Sequence, residues 1–368
     1  MARIESYPLH GGQLRQISER FGIPVSQLLD FSANINPDGP PSAVLSSLRE
    51  SLNDLSTLTE YPDLQQTELK QSIARYAGVG EQNIVVANGF VPLLEAALRT
   101  LQIRRCLLPV PAFVEYRKTL DRAGIETSLY TLSDTCSFQY DPEAMAIGKH
   151  DAILLANPQN PSGVCHDASV IRDLIVRAAK RNIYVLLDEA FIDYVPQHSL
   201  TNTINEFSNL IVFRSVTKFY GMPGLRLAYA TSNSALATAI NENLPPWPIT
   251  TLASLAGVAA LEDRSYAERS RTENRIRRVV LQRKIEAFGL RVYPSAASYL
   301  LFRLPVGIAA NTFWERMIIE HQIVLRSCAN YENLPPGHFR VAVRAQRENV
   351  RLTTAIEESL SHYGSGCR

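Results

Sequence analysis

Four short apolar runs in this sequence each end on residues that can do chemistry. Val85-Val86-Ala87 leads into Asn88-Gly89 and the start of a helix. Residues 152–156 lead into Asn157-Pro-Gln-Asn160-Pro-Ser-Gly163, and 184–187 into Asp188-Glu189. Val212-Phe213 leads into Arg214-Ser215-Val-Thr-Lys218. In an open parallel sheet, ligands bind beyond the carboxyl ends of the strands. One rim would therefore receive a helix N-terminus, an asparagine turn, a carboxylate and a lysine. Each has a plainer account alone: a Pro/Gly turn, a helix cap, a solvated lysine. Together they suit an aldehyde cofactor with a pyridine nitrogen. The lysine bonds to the aldehyde. The carboxylate keeps the ring nitrogen protonated, so the ring draws electrons from a bond breaking at a substrate Cα. Hydroxyls, an arginine and helix N-terminal amides hold a phosphate.

The elements that must position these residues follow a regular rhythm. Apolar runs at 83–87, 106–109, 152–156, 183–187, 210–213 and 225–230 alternate with helical patterns at 92–101, 113–123 and 169–181. In the last, Val170, Ile171, Leu174, Ile175 and Ala178 mark one buried helical face. Such runs predict an α/β fold, a mostly parallel central sheet with helices on both faces. Three prolines in Asn243-Leu-Pro-Pro-Trp-Pro248 break the rhythm. Beyond them the pattern predicts one long charged helix over about 250–288, then strands in a smaller α+β domain. The first 45 residues, with turn clusters His10-Gly-Gly and Asn34-Ile-Asn-Pro-Asp-Gly-Pro-Pro41, read as an irregular arm without a sheet strand. The expected division is 1–45 as arm and part of the small domain, 46–245 as the cofactor-binding domain, and 246–368 as the small domain.

The 368 residues carry 37 Lys+Arg against 36 Asp+Glu, a net charge of +1. Such a chain exerts no global pull on nucleic acid or an anionic membrane. No apolar run approaches the roughly 20 residues of a membrane span. Met1-Ala-Arg-Ile-Glu-Ser-Tyr7 lacks the hydrophobic stretch of a secretory signal, so a cytoplasmic protein is expected. Cys106, Cys136, Cys165, Cys328 and Cys367 show no C-x-x-C and no zinc-ligand spacing with histidine. They read as reduced thiols, with no metal site.

Asn157-Pro-x-Asn160-Pro-x-Gly163, Asp188-Glu-Ala190 and Ser215-x-x-Lys218 followed by Gly224-Leu-Arg226 match, in order and spacing, the class I/II aminotransferase-like enzymes of fold type I. The chain resembles this family over nearly its whole length. The resemblance implies pyridoxal 5'-phosphate as cofactor, bonded to Lys218, with Asp188 at its ring nitrogen and Asn160 at its phenolic oxygen. Ser215 and Arg226 would hold the cofactor phosphate, with Gly89 and the amides of Phe90 and Val91. Phe113 would stack on the ring, and Tyr61 would reach the phosphate across a homodimer interface. Arg340 would fork the substrate carboxylate. One departure stands out: Phe90-Val91-Pro92 replaces the polar pair usual after the turn glycine, so only backbone donors are expected there.

Within the family the chain resembles the threonine-phosphate decarboxylases of cobalamin biosynthesis. The signals are His10-Gly-Gly12, Leu29-Asp-Phe-Ser-Ala-Asn-Ile-Asn-Pro37, Asp188-Glu-Ala-Phe-Ile-Asp193, Thr217-Lys-Phe-Tyr-x-x-Pro-Gly-Leu-Arg-Leu227 and Arg326-Ser-Cys-Ala-Asn-Tyr331. That likeness implies decarboxylation of O-phospho-L-threonine to aminopropanol phosphate, with His10, Asn34 and Arg326 around the substrate phosphate. Their plain readings are a turn histidine, an Asx-turn and a strand-end arginine. The alternatives are an aminotransferase of the histidinol-phosphate type, which usually has Tyr where this chain has Phe191, or a divergent paralogue acting on another amino acid. A binding protein that kept the fold without catalysis is opposed by the intact Lys218, Asp188 and Arg340.

Overall fold

The computed structural model describes residues 7–364, so the 1–6 stretch and Cys367 lie outside the described residues. Thirteen strands are named here in chain order: β1 Leu29–Asp30, β2 Ile84–Ala87, β3 Arg105–Val110, β4 Glu126–Thr131, β5 Ala152–Ala156, β6 Tyr184–Asp188, β7 Leu210–Ser215, β8 Ala228–Thr231, β9 Arg291–Val292, β10 Tyr299–Arg303, β11 Ile323–Val324, β12 Arg326–Ser327 and β13 His338–Ala342. Seven form the main sheet in the order β2-β8-β7-β6-β5-β3-β4. β8 alone runs opposite to the other six strands, pairing antiparallel with β2 and β7. β2, β5 and β7 are buried along their whole length, as strands sandwiched between helices must be. The edge strand β4 escapes an apolar-run reading because its residues are exposed or half-buried.

Register brings the reactive residues together. Ala156 pairs with Asp188, and Asp188 with Phe213, so the ends of β5, β6 and β7 stand side by side. Ala228 at the start of β8 pairs with both Ala87 and Ser215. The turn at Gly89, the hydroxyl of Ser215 and the Arg226 that precedes β8 therefore meet at one point of the rim.

The second sheet, in the order β12-β13-β10-β9, packs its own core around Trp314, Phe313, Phe302 and Phe339. Two expectations need correction. The arm does hold a strand: β1 pairs in parallel with β11, and Phe31, fully buried in this second core, accepts a hydrogen bond from the Ala342 amide (2.8 Å). Two residues are too few to show any periodicity. The long helix is in fact two, Thr251–Glu262 and Arg264–Ala287. Asp263 leaves the helical region (φ −81°, ψ 80°) and caps the second helix by accepting from the Tyr266 amide at 2.8 Å.

Candidate active site

Lys218 lies in a single helical turn, Val216–Phe219, directly after β7. Its Nζ donates to Ser215 Oγ at 3.2 Å and stands 5.4 Å above the Phe191 ring. Burial lowers the Lys218 pKa, and Asp188 pulls it partly back. Asp188, at the end of the adjacent β6, accepts from Tyr116 Oη (2.5 Å) and from the Ala190 amide (2.8 Å). Burial pushes its carboxyl up, opposed by Lys218 and then by these hydrogen bonds. Asp188 thus holds two hydrogen bonds and Lys218 one, with the two groups within each other's field.

Phe90, Phe113, Tyr116, Asn160, Asp188, Phe191 and Lys218 line one cleft. Phe113 meets Tyr116 edge-on, and Phe90 packs between Tyr116 and Phe213. The Phe90 side chain thereby forms part of the wall, which leaves only its amide to face the cradle. Gly89 starts the helix Phe90–Thr100 with φ 104°, and a Cβ there would lie 2.8 Å from Arg226 Nη2. Glycine leaves a cradle between the helix N-terminus and a guanidinium. Ser215 Oγ and Thr217 Oγ1, 3.0 Å apart, add hydroxyls from β7 and the turn after it. The lysine, the carboxylate, the flat apolar walls and this cradle fit pyridoxal phosphate.

A cavity of about 270 Å³ continues from Lys218 and is lined by His10, Asn34, Phe113, Asn160, Arg326 and Arg340, among others. β12 pairs with β13 so that Arg326 and Arg340 are cross-strand partners. Like charges directly opposite repel. Yet these two are only 3% and 6% exposed, and neither has a carboxylate partner among the described residues. Arg340 Nη1 donates to Asn160 Oδ1 (2.6 Å) and to Tyr331 Oη (3.1 Å), and its Nη2 to Ser32 O (3.3 Å). Its Nε, and the buried Asn34 Oδ1, have no partner. Arg326 donates to Pro8 O (3.2 Å), Leu9 O (2.7 Å), Asn330 Oδ1 (2.8 Å) and Ser327 O. Burial lowers its pKa. His10 Nε2 sits 3.0 Å from Glu115 Oε1, and Lys118 reaches the same carboxylate. Burial lowers His10, opposed first by Glu115. Gly11 lets this segment pass close to the Ser32 backbone, since a Cβ would fall 2.1 Å from Ser32 O.

Thirteen of the fourteen residues singled out in the sequence thus gather at one rim, Val91 only as the second residue of the helix at the cradle. Tyr61 does not join them. It is 78% exposed and stacks on Trp247 at 4.4 Å, lining neither cavity. The sequence reading assigned nothing to Tyr116, Thr217 or Tyr331. Tyr116 could have been found three places after Phe113, in the first turn of the helix Val114–Arg122. Tyr331 closes the Arg326-Ser-Cys-Ala-Asn string, but its partner lies on another strand.

The profile of the family described as "Aminotransferase class I and II" matches residues 26–358. A threonine-phosphate decarboxylase of Salmonella typhimurium is 33% identical over 362 residues, covering 96% of each chain. A histidinol-phosphate aminotransferase of Oleidesulfovibrio alaskensis is 30% identical, covering 95% of this chain and 91% of its own. Among solved structures, the histidinol-phosphate aminotransferase of Clostridium acetobutylicum superposes with a TM-score of 0.85 at 27% identity, over 91% of this chain and 100% of its own.

Proposed function

We propose that this chain, which belongs to the class I and II aminotransferase family and takes pyridoxal phosphate as its cofactor, removes the carboxyl group of O-phospho-L-threonine. The products are CO₂ and aminopropanol phosphate. The observation that carries this reading is the pair of buried, cross-strand arginines with only neutral partners. A cavity built around two uncompensated cations calls for a ligand with two anionic ends.

When bound, the cofactor supplies an electron-poor ring that accepts the electron pair of a bond breaking at the substrate Cα. Asp188 holds the proton on the ring nitrogen. Tyr116 keeps that carboxylate in place, and burial makes its demand for a cationic partner strong. Asn160 has its Oδ1 occupied by Arg340 and presents its amide N–H groups to the phenolic oxygen. The cradle of Gly89, the Phe90 and Val91 amides, Ser215, Thr217 and Arg226 holds the cofactor phosphate. Burial enlarges the neutral share of Lys218, the form that bonds to an aldehyde. Arg340 takes the substrate carboxylate, while Arg326, His10 and Asn34 take the phosphate. Holding the far end would use binding energy to orient the Cα–carboxylate bond for cleavage. That bond breaks, its electron pair stays on the Cα side, and a proton delivered from Lys218 Nζ replaces the carboxyl group.

The cofactor half is residues 46–245, and the substrate's anionic ends are met by the arm and the 246–368 half. Tyr61 acts in a partner subunit's site. The exposed stripe of Leu52, Leu55, Leu58, Tyr61, Leu64 and Trp247 supports a second copy covering this face. No helix among the described residues is long and apolar enough to cross a membrane, and we place the enzyme in the cytoplasm. A second reading, an aminotransferase of the histidinol-phosphate type, is favoured by the 0.85 TM-score to such an enzyme. Product analysis with O-phospho-threonine separates the two. CO₂ release without any 2-oxo acid is expected; a strict requirement for a 2-oxo acid, with no CO₂, would replace the decarboxylase by the aminotransferase.

A further inference from the structure

Arg326 and Arg340 leave neighbouring positions of one ladder, yet their guanidinium groups take separate sets of partners. One side chain touches both. The Tyr331 ring lies under Arg326, with the guanidinium carbon 5.4 Å from its centroid. The Tyr331 hydroxyl accepts from Arg340 Nη1 at 3.1 Å and donates to Asn160 Oδ1 at 3.3 Å. Tyr331 is itself held firmly. It is buried, its amide donates to Cys328 O (3.0 Å), and it packs into the core beneath the main sheet with Cys328 and Leu334. A tyrosine so placed turns its aromatic face to Arg326 and bonds Arg340 and Asn160 through its hydroxyl, with Arg326 also within that hydroxyl's reach.

We infer that Tyr331 is a positioning residue that fixes the separation of the two anion-binding arginines, and so selects substrates by the distance between their anionic ends. This rests on the reading of Arg326 and Arg340 as the two ends of the substrate site. The alternative, a tyrosine that merely fills the core, predicts no dependence on ligand length. Without the ring, Arg326 has only backbone carbonyls and one amide oxygen to set its place. Without the hydroxyl alone, Arg340 loses one contact while the spacing stays. In a fitted site, one methylene more or less discriminates by about 10- to 200-fold. O-phospho-homoserine, an isomer with one more carbon between its carboxylate and its phosphate, is therefore a poor substrate beside O-phospho-threonine.

The test uses cofactor-loaded enzyme and calorimetric titration with carboxylates bearing a terminal phosphonate, stepped in length from phosphonopropionate to phosphonohexanoate. Wild type should show a sharp optimum of length. Tyr331→Phe should weaken every ligand by a similar factor and keep the optimum. Tyr331→Leu should flatten it, and Tyr331→Trp should move it to a longer ligand. A Leu or Trp variant that keeps the wild-type optimum, or a Phe variant that loses it, overturns the inference. Should the Leu variant fail to fold, the Phe and Trp variants still decide. Turnover of O-phospho-threonine and O-phospho-homoserine runs alongside. A length optimum without turnover of either supports the ruler and overturns the decarboxylase; turnover without an optimum does the reverse.

Discussion

The cofactor cleft and the anion cavity share a wall, but they balance charge differently. In the cleft, Lys218 faces Asp188, and Asp188 is bonded twice more. Behind it, the fully buried Arg214 lies 3.5 Å from Glu189 and is bonded to Asp193. Lys218 and Arg214 thus each have an anion nearby, while Arg226 at the phosphate cradle is bonded only to a carbonyl among the described residues. In the cavity, Arg326 and Arg340 have only carbonyls, amide oxygens and a tyrosine. A compensated region is built to keep its geometry. An uncompensated one is built to wait for a ligand, and its free state stores repulsion that an anion relieves.

Four measurements would break or sharpen this contrast. The largest effect belongs to the cleft: Lys218→Ala should lower turnover by about 10⁴-fold. Borohydride reduction and peptide mapping of wild type should find the cofactor on Lys218; a label on Lys180 or Lys284 would remove Lys218 from its role. Next comes stability in urea without substrate. Arg214→Met strands Glu189 and Asp193 and should cost about 3–5 kcal/mol, whereas Arg326→Met should leave stability level or raise it. Equal losses would erase the distinction between the two regions. Third, Arg326→Ala should cost O-phospho-threonine about 2–5 kcal/mol in kcat/KM and leave threonine nearly untouched. If both substrates suffer alike, Arg326 serves the fold or the cofactor.

The smallest effect is a proton. Burial holds His10 below its ordinary pKa, so at neutral pH the free site carries it mostly neutral. A bound phosphate favours the imidazolium and draws the value up. The charged groups facing His10 are Glu115 and Lys118 from the helix Val114–Arg122 and Arg326 from β12. Binding of a phosphonate ligand near pH 7 should take up more protons in wild type than in His10→Gln, read by calorimetry in buffers of different ionisation heat. Glu115→Gln should lower the uptake, because the carboxylate is what raises His10. Identical proton counts in all three proteins would place His10 outside the anion's field.

The cleft was the more legible of the two regions. Asn160, Asp188 and Lys218 each close a run of apolar residues, and a parallel sheet with known rim geometry sets such ends side by side. Arg326 and Arg340 could be singled out, but not their opposition, because strand pairing between β12 and β13 is written in register rather than composition. Tyr331 stood in a quoted string, but its contact with both arginines was hidden for the same reason. β1 and β12 are two residues long, below the length at which alternation can be read. The break at Asp263 hid inside a continuous charged helical pattern, since a capping aspartate resembles any other polar residue until the backbone turns. Tyr61 could be picked from its neighbours Pro62 and Asp63, but its distance from the cavities within one chain could not.

That same tyrosine turns the protein into its own reporter. The chain has two tryptophans. Trp314 is sealed in the small-sheet core, while Trp247 stacks on Tyr61 and remains 41% exposed. Their emission therefore separates by environment, with a blue, quencher-resistant component from Trp314 and a red, acrylamide-accessible one from Trp247. On the proposal that a second copy covers this face, dilution to the point of dissociation should move only the red component. The buried tryptophan supplies an internal reference that needs no label, and a Trp247→Phe protein shows the baseline against which any covering of that face is read.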